Sequence, residues 1–534
     1  MDSDYIVVGA GSAGCVVASR LSETGDQVVL LEAGPPDHLP WIHIPAGVLK
    51  LLSNPKVNWC YESEGSEGTA GRRIQWPRGK TLGGSSSING MLHIRGNPAD
   101  FNHWAQLGCT GWRFQDVLPY FRKSENYLQG GERDFRGQDG PLNVQDYRTI
   151  LPVTHQFVKA AQEAGFVYTR DLNGSKPEAV GYSQQNRKGR RRASGAQTYL
   201  KQSRKRANLR IETGALASRL LFEGKRCVGV TFRQGGQEKT IRARKEVILC
   251  GGVVNSPQLL QISGVGPAQH LQSIGVPVLH DLPGVGDNLQ DHYVARIAHR
   301  VKGVVTINQL SRGIRLAGEV LRYAFTGRGA LTFGVTSAQV FCRSSPDKPN
   351  PDLQLLFTPG SYNYDPSKYG ALEVEPGVTV AVCPVQPTSR GTILARSADP
   401  TMHPTIAPNY FSHPNDARVL LSGIRLARQI LSAPTMAASS VIETQPGPDV
   451  QSDEDLIAYT KKFGTSYMHG VGTCRMGIDE TCVVDERLRV RGLNGLRVVD
   501  ASIMPTLTTG NTNATTVMIG EKGAAMILED RKAP

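Results

Sequence analysis

Residues 5–34 read YIVVGAGSAGCVVASRLSETGDQVVLLEAG and decide the fold that the sequence predicts. An apolar run enters the glycines Gly9, Gly11 and Gly14, a helix-compatible segment follows, and a second apolar run ends at Glu32. This order predicts a strand, a turn, a helix and a second strand. Gly9 would permit a tight turn, Gly11 would let the backbone approach a pyrophosphate, and Gly14 would let the helix pack closely on the strand.

Glu32 supplies the last part of this motif. It follows the first glycine at close to the ~20 positions expected of a dinucleotide site, where an acidic side chain accepts from a ribose hydroxyl. The phosphates of the ligand would then lie at a helix N-terminus. The alternative is an ordinary βαβ unit whose glycines serve only its turns. Because the whole context of the motif is in place, we favour a dinucleotide site.

Length and composition indicate a soluble globular protein of at least two domains. With 534 residues the chain exceeds the ~250–300 residues at which single cores stop growing. Hydrophobic residues make up 39% and charged residues 20%, and no apolar run approaches the ~18 residues of a membrane span. Because the first strand closely follows the initial methionine, we expect no signal peptide and a cytoplasmic protein.

The nine cysteines are scattered along the chain and form no C-x-x-C pair. This pattern disfavours both a disulfide framework and a zinc site. We therefore expect reduced, mostly buried thiols and no metal.

The formal net charge of +13 admits an anionic partner. The densest basic cluster, Lys188, Arg190, Arg191 and Arg192, is short and has no interleaved aromatic residues for base stacking. We therefore expect no nucleic-acid partner and interpret the cluster as a solvated basic surface. The alternative is peripheral attachment to anionic lipid on the inner membrane face.

A second glycine-rich stretch, WPRGKTLGGSSSINGMLHIRGN at residues 76–97, is typical of backbone that lies close to a large polar ligand. A flexible linker is the alternative. The apolar residues Leu82, Ile88, Met91 and Leu92 require burial, which disfavours a linker.

The rest of the chain alternates between two styles of sequence. Buried strands with glycine turns, first met in 1–150, return in 195–295 and 461–534. Segments 151–194 and 296–460 instead hold helix candidates and short alternating strands between proline and glycine turns, which indicates an antiparallel sheet. The sequence thus predicts an α/β protein, α+β overall, in which a second domain roofs a discontinuous first domain.

Four helices besides the one in the opening motif are predicted from periodicity and end signals. Two are Thr154–Ala164 and Asn415–Leu431. A third has Pro257 in its first turn and extends to Ile262. The fourth runs from about Thr515 to Leu528, close to the end of the chain.

Motifs along nearly the whole chain resemble the glucose-methanol-choline (GMC) family of flavin oxidoreductases, most closely its bacterial choline and primary-alcohol dehydrogenase branch. They are VVGAGSAG, WPRGKTLGGSSSING, GGVVNSPQLLQISGVGP, LPGVGDNLQDH, HGVGTCRMG and LRVVDASIMPTLTTGNTNATTVMIGEKGA. The resemblance implies a Rossmann-like FAD-binding domain, split as 1–150, 195–295 and 461–534. It also implies a substrate domain, 151–194 and 296–460. It assigns FAD rather than NAD to the opening motif.

Carried over position by position, the resemblance implies a set of cofactor-binding residues. The pyrophosphate would lie at Gly9, Gly11, Ser12, Ala13 and Gly14, and the adenosine ribose at Glu32, with Ala33 beside it. The isoalloxazine side would be lined by Arg78, Gly83, Gly84, Asn89, Gly90, Met91 and Leu92. The remaining contacts would come from Ala217, Gly251, Asp500, Ala501, Thr512 and Asn513. Ile88 stands where some members carry a histidine bound covalently to flavin, so non-covalent FAD is expected.

The resemblance also implies that His469, in HGVGTCRMG, is the catalytic base. The chemistry agrees, because alcohol oxidation requires a group near the flavin that titrates close to neutrality. The alternative is a structural histidine in a glycine-rich turn. The partner position is assigned to Asn513, which could hydrogen-bond the substrate oxygen but cannot take its proton. Tyr467 and Met468 are expected to wall the substrate pocket or to serve packing alone.

The predicted function is FAD-dependent oxidation of a primary alcohol to the aldehyde, with electrons passed to a quinone or another acceptor. The nearest alternative is an oxidase that reduces dioxygen to hydrogen peroxide. A more distant alternative is a non-dehydrogenase flavoprotein such as a light-driven decarboxylase, which predicts loss of the histidine base. The second domain shows no diagnostic charged pair, so aliphatic, aromatic and polyether alcohols all remain candidate substrates.

Overall fold

The computed structural model describes residues 2–363 and 371–531. The opening motif forms the strand Asp2–Val8, the helix Ser12–Leu21 and the strand Val28–Glu32. Both strands belong to the first sheet, which has seven strands. The strand order is Leu209–Thr213, Val28–Glu32, Asp2–Val8, Gln237–Leu249, Arg226–Gln234 and Leu216–Glu223, with Leu496–Val498 paired to Gln237–Leu249. The opening strands are parallel, as the motif predicts, with Tyr5 opposite Val28 and Val8 opposite Leu31.

Close helix packing covers one face of this sheet. The helix Ser12–Leu21 packs against the long C-terminal helix Asn513–Asp530. A side chain at Gly520 would place its Cβ 2.9 Å from the Cβ of Val16, so glycine allows the two helices to approach this closely. The first and last parts of the chain therefore share one core.

The second sheet also has seven strands, and all its pairings are antiparallel. Its order is Ser440–Gln445, Tyr293–Val301, Gly377–Pro384, Leu353–Thr358, Ala338–Cys342 and Ala179–Tyr182, with Thr465–Ser466 paired to Tyr293–Val301. The helices Pro414–Ser432 and Pro152–Glu163 pack on this sheet and share its apolar core. The antiparallel sheet predicted from the alternating segments is confirmed.

Smaller elements connect and flank the two sheets. The other α-helices are Pro40–His43, Val48–Leu51, Pro98–Gln106, Phe114–Ser124, Lys201–Ser203, Gly252–Ile262, Ala268–Ser273, Ile307–Leu310, Gly313–Thr326, Pro434–Ala437 and Asp453–Phe463. Short 3₁₀-helices occur at Pro45–Gly47, Glu67–Thr69, Gly84–Ser87, Ala330–Thr332 and Ala501–Ile503, and a π-helical turn occurs at Ala196–Leu200. The remaining strands are Tyr61–Glu62, Gln75–Trp76, Glu125–Tyr127, Leu142–Asp146, Gln184–Lys188, Arg191–Arg192, Val265–Gly266, His280–Asp281, Thr392–Leu394 and Thr405–Ala407.

The helix Gly252–Ile262 begins earlier than its sequence indicates. Pro257 was expected in the first turn, but it lies inside the helix. Proline lacks the N–H that would bond the carbonyl of Val253 one turn earlier. The hydroxyl of Thr473 instead donates to that carbonyl at 2.6 Å. A residue more than 200 positions away thus compensates for the proline, which local sequence could not reveal.

The described residues contain neither a disulfide nor a helix that could span a membrane. All nine cysteines are unpaired, and eight of them are buried. No helix in residues 2–363 and 371–531 is long and apolar enough to cross a bilayer.

Candidate active site

An elongated cavity of about 690 Å³ runs from the opening motif to the second sheet. At one end its wall includes Gly11 and Glu32. At the other it includes His469, Tyr467 and Thr379, a residue of the second sheet. The cavity begins at the carboxyl ends of parallel strands, where ligands bind in open α/β sheets.

The glycines of the opening motif differ in what surrounds them. Gly9 has a φ of +101°, and a Cβ at Gly14 would lie 1.8 Å from the carbonyl oxygen of Gly9. Gly14 thus faces protein rather than the cavity. At Gly11 the nearest atom to an added Cβ would be 3.9 Å away, so this backbone borders open space. Space for a ligand and close packing are therefore divided between different glycines.

The carboxylate of Glu32 is fixed at the end of its strand. One oxygen accepts from the backbone N–H of Ala10 and the other from that of Gly34, both at 2.9 Å. Burial raises the pKa of Glu32 to about 7, although these two hydrogen bonds favour the charged form. Each oxygen retains a lone pair for a donor in the cavity.

Nearly all residues predicted from the sequence line this one cavity. They are Gly9, Gly11, Ser12, Ala13, Glu32, Ala33, Arg78, Gly84, Asn89, Gly90, Met91, Leu92, Ala217, Gly251, Tyr467, Met468, His469, Asp500, Ala501, Thr512 and Asn513. Gly14 and Gly83 lie behind the wall. A Cβ at Gly83 would meet the hydroxyl of Ser87 at 2.3 Å, so its role is close packing.

Arg192 was assigned to a solvated basic cluster, and this is wrong. Its guanidinium is buried, donating to the carbonyls of Ile42 and Asn89 and to the Asn89 side chain. The turn Lys188–Arg191 around it does expose its basic side chains. This buried arginine bonds the helix Pro40–His43 to the segment at Asn89 and so stabilises the cavity wall, whereas a count of charges treats it as a surface residue.

His469 lines the part of the cavity next to the second sheet, between two other polar side chains. Its Nδ1 is 2.8 Å from Nδ1 of His292, and its Nε2 is 3.0 Å from the amide nitrogen of Asn511. Its backbone N–H donates to Asp291 at 2.8 Å. Burial lowers the pKa of His469 well below its usual value, and the nearby His292 and Arg78 lower it further.

The hydrogen bonds of His292 determine which nitrogen of His469 carries the proton. Nε2 of His292 lies 3.0 Å from the carbonyl oxygen of Val385, which can only accept, so Nε2 is protonated. Burial lowers the pKa of His292 to about 4, so the ring is neutral and its Nδ1 is an acceptor. His469 therefore donates from Nδ1, and its Nε2 lone pair faces Asn511.

The asparagine beside the histidine is Asn511, whereas the sequence prediction was Asn513. Asn513 begins the helix Asn513–Asp530, and its amide donates to the Ser12 hydroxyl at 2.8 Å. Asn511 precedes the helix and is free to turn toward His469. The sequence Asn-Thr-Asn at 511–513 indicated that an asparagine lies near His469. Its spacing from His469 could not show which of the two amides faces the imidazole.

Two further residues of the site, Asp291 and His292, end the motif LPGVGDNLQDH, which predicted no role for either of them. Asp291 is buried and accepts from the hydroxyls of Tyr410 at 2.5 Å and Ser466 at 2.6 Å. Together with its bond to the His469 backbone, these contacts fix the loop that carries the histidine. The sequence did contain a signal for these two residues, because an acid and a histidine stand side by side at the end of a motif and just before a buried strand. That signal could have identified them as candidate site residues.

Comparison with known proteins agrees with this geometry. Residues 3–294 and 387–520 match the family described as GMC oxidoreductase. The chain is 42% identical to human mitochondrial choline dehydrogenase, over 98% of this chain and 89% of the relative. It is also 42% identical to the alcohol dehydrogenase (acceptor) of Pseudomonas putida, over 98% of this chain and 95% of that one. The chain belongs to the GMC oxidoreductase family.

Solved structures of GMC flavoenzymes share the whole fold. Pyridoxine 4-oxidase from Mesorbium loti superposes with a TM-score of 0.89 at 29% identity, over 98% of both chains. Formate oxidase of Aspergillus oryzae superposes with a TM-score of 0.92 at 26% identity, over 99% of both. The predicted family, the α/β fold with an FAD-binding unit, and FAD as cofactor are confirmed. The protein is an FAD-dependent oxidoreductase.

The cavity of this GMC protein has groups that suit a flavin dinucleotide. Arg78 stacks on the Trp76 ring at 4.2 Å and lines the cavity. Its buried Nη2 has no hydrogen-bond partner among the described residues, so it is available to an acceptor on the cofactor. Together with the open backbone at Gly11 and the carboxylate of Glu32, this gives polar contacts at both ends of the cavity.

Proposed function

We propose that this protein oxidises a primary alcohol to the aldehyde, with His469 as the base. The alcohol loses its hydroxyl proton to Nε2 of His469 and a hydride from its carbon. Bound FAD supplies the hydride acceptor, N5 of its ring. The electrons then pass to a quinone or another acceptor. The chief support is the Nε2 lone pair of His469, which is directed toward the amide nitrogen of Asn511 in the wall of the cavity.

Asn511 and His469 would hold the substrate hydroxyl together. The amide of Asn511 can only donate from its nitrogen, while Nε2 of neutral His469 can only accept. A hydroxyl between them would accept from Asn511 and donate to His469, replacing their mutual contact of 3.0 Å. As the proton leaves, the amide would stabilise the developing negative charge on oxygen. The buried cation of Arg78, which already lowers the pKa of His469, favours the same charge.

We also propose how the chain holds FAD. The pyrophosphate would lie against Gly9, Gly11, Ser12 and Ala13, with Asn513 fixing the Ser12 hydroxyl. Glu32 would accept from the adenosine ribose. The isoalloxazine would lie along the Asn89–Leu92 segment, whose first side chain is held by buried Arg192.

An oxidase remains the second candidate, because relatives of both kinds resemble this chain. The Brucella suis protein named oxygen-dependent choline dehydrogenase is 41% identical over 99% of this chain. An oxygen electrode distinguishes the two, since an alcohol oxidase consumes dioxygen once alcohol is added without a dye. A light-driven decarboxylase is disfavoured by the presence of His469 in the wall of the cavity.

Anaerobic flavin reduction tests the proposed reaction directly. A panel of primary alcohols is mixed with the holoenzyme, and flavin absorbance is followed by stopped flow. His469→Gln keeps a polar side chain of similar length but cannot take the proton, so reduction should slow by ~10²–10⁴-fold. Wild-type rates in this variant, or no reduction of the native enzyme by any primary alcohol, would refute the proposal.

A further inference from the structure

The helix Gly313–Thr326 carries its apolar stripe on the outside of the protein. Ile314 is 88% exposed, Leu321 58% and Phe325 85%. Their spacing of seven and four positions places the three side chains on one helix face. A surface helix ordinarily turns such a face to the core. Here it faces outward.

The inner face of this helix is polar instead. Glu319 is the one buried residue of the helix, and its carboxylate accepts from the backbone N–H of Ala330 at 2.5 Å. The Tyr323 hydroxyl donates to the carbonyl of Arg190 at 2.9 Å. Polar contacts thus fix the helix to the protein in the orientation that exposes its stripe.

Positive charge surrounds the stripe. The only acid in residues 302–332 is Glu319, which is buried. The basic residues of the same segment are Lys302, Arg312, Arg315, Arg322 and Arg328, and all are exposed. The exposed basic turn Lys188–Arg191 lies alongside, where Arg190 donates to the carbonyl of Ala324 at 2.6 Å.

This combination points to a particular partner. Apolar side chains with flanking arginines match a bilayer surface, where acyl chains lie beneath anionic phosphates. A second copy of the chain would present the same positive charges to itself, which is unfavourable. We propose that the helix Gly313–Thr326 docks on anionic lipid, with Ile314, Leu321 and Phe325 at the acyl boundary and the arginines at the phosphates. The proposed attachment to lipid does not depend on which compound accepts the electrons from the enzyme.

Vesicle co-sedimentation of the holoenzyme tests this docking. Vesicles of phosphatidylcholine with phosphatidylglycerol are compared with phosphatidylcholine alone, at low and high salt. The double variant I314E/F325E places carboxylates at two of the three stripe residues, and Ile478→Glu is the control for a new surface carboxylate, since Ile478 is 65% exposed elsewhere on the chain. A charge variant, R315Q/R322Q, is matched by Arg219→Gln on the exposed side of an edge strand.

We expect the native protein to bind the anionic vesicles and to be released in part by salt. The I314E/F325E variant should bind at least about tenfold more weakly, which corresponds to a loss of ~1.4 kcal/mol in binding free energy. The R315Q/R322Q variant should also bind more weakly, while both controls bind as the native protein and all variants keep their rate with a soluble dye. The proposal fails if the native protein stays in the supernatant or if I314E/F325E binds equally well. It also fails if light scattering shows a dimer that this variant converts to a monomer.

Discussion

Asn511 and Asn513 are two positions apart but have different contacts, so the proposed mechanism assigns Asn511 to catalysis and Asn513 to cofactor binding. Asn511 faces Nε2 of His469, while Asn513 bonds Ser12 in the opening motif. The family resemblance implies His469 as the base and an amide side chain as its partner. It could not choose the amide, because one asparagine precedes the helix and the other lies in its first turn.

The two asparagine variants should therefore differ. Asn511→Ala removes the donor to the developing alkoxide, so flavin reduction by alcohol should slow by ~10²–10³-fold, as for a lost oxyanion donor. Asn513→Ala should reduce that rate much less but lower the FAD content of the purified protein. Stopped-flow reduction and the ratio of flavin to protein absorbance measure both effects. Equal rate losses with full FAD in both variants would contradict this assignment.

His292 is expected to act on the reaction through His469, as a positioning residue. Because burial holds the pKa of His469 below its usual ~6.5, its base form prevails at neutral pH, and the reduction rate should fall only as the solution becomes more acidic. His292→Ala removes both the acceptor for Nδ1 and a group that lowers the pKa of His469. Reduction should slow, and the acidic limb of the rate profile should move to higher pH. A slower rate with an unmoved limb would indicate a merely structural role.

Among the helices, the sequence predicted best those whose bounds are set by nearby residues. The helix predicted at Asn415–Leu431 is Pro414–Ser432, and that at Thr154–Ala164 is Pro152–Glu163, because periodicity and an initial proline define both. The helix around Pro257 was predicted too short because Thr473, which satisfies the freed carbonyl of Val253, belongs to the distant motif HGVGTCRMG.

Removing that hydroxyl should destabilise the protein. Thr473→Val keeps the shape of this fully buried side chain but leaves the Val253 carbonyl without a donor, at a cost of ~1–3 kcal/mol. The melting temperature should fall, whereas Thr473→Ser, which keeps the hydroxyl, should melt closer to the native protein. Thermal unfolding of both holoenzymes gives the comparison. If the valine variant melts no lower than the serine variant, the proline is compensated in another way.

Across the whole molecule, the sequence predicted which distant segments meet but not which surface they expose. Return of strand and glycine patterns near the C-terminus predicted a discontinuous first domain, and Leu496–Val498 does pair with the strand that also borders Asp2–Val8. The outward stripe of the helix Gly313–Thr326 has the same periodicity as a buried one. Only the packing of the whole chain shows which way such a stripe faces.

FAD is expected to bind in the cavity between the two sheets without a covalent bond to the protein. The family resemblance implies that Ile88 stands where some members carry a flavin-linked histidine, and its unreactive side chain packs with Ile42, Leu51 and Val57. Acid precipitation should therefore release yellow FAD into the supernatant, and flavin that stays with the pellet would contradict this.

The same non-covalent binding links FAD to the stability of the whole chain. Since the cavity is lined by both sheets, FAD at 100 times its dissociation constant should stabilise the folded protein by ~2.7 kcal/mol. Glu32→Ala should lower FAD occupancy and reduce this gain at a fixed FAD concentration, because the ribose loses its acceptor. Melting of apoprotein and holoprotein, native and variant, measures the gain. If Glu32→Ala retained full FAD and the full increase in melting temperature, the ribose assignment of Glu32 would be wrong, while the assignment of His469 as base would stand.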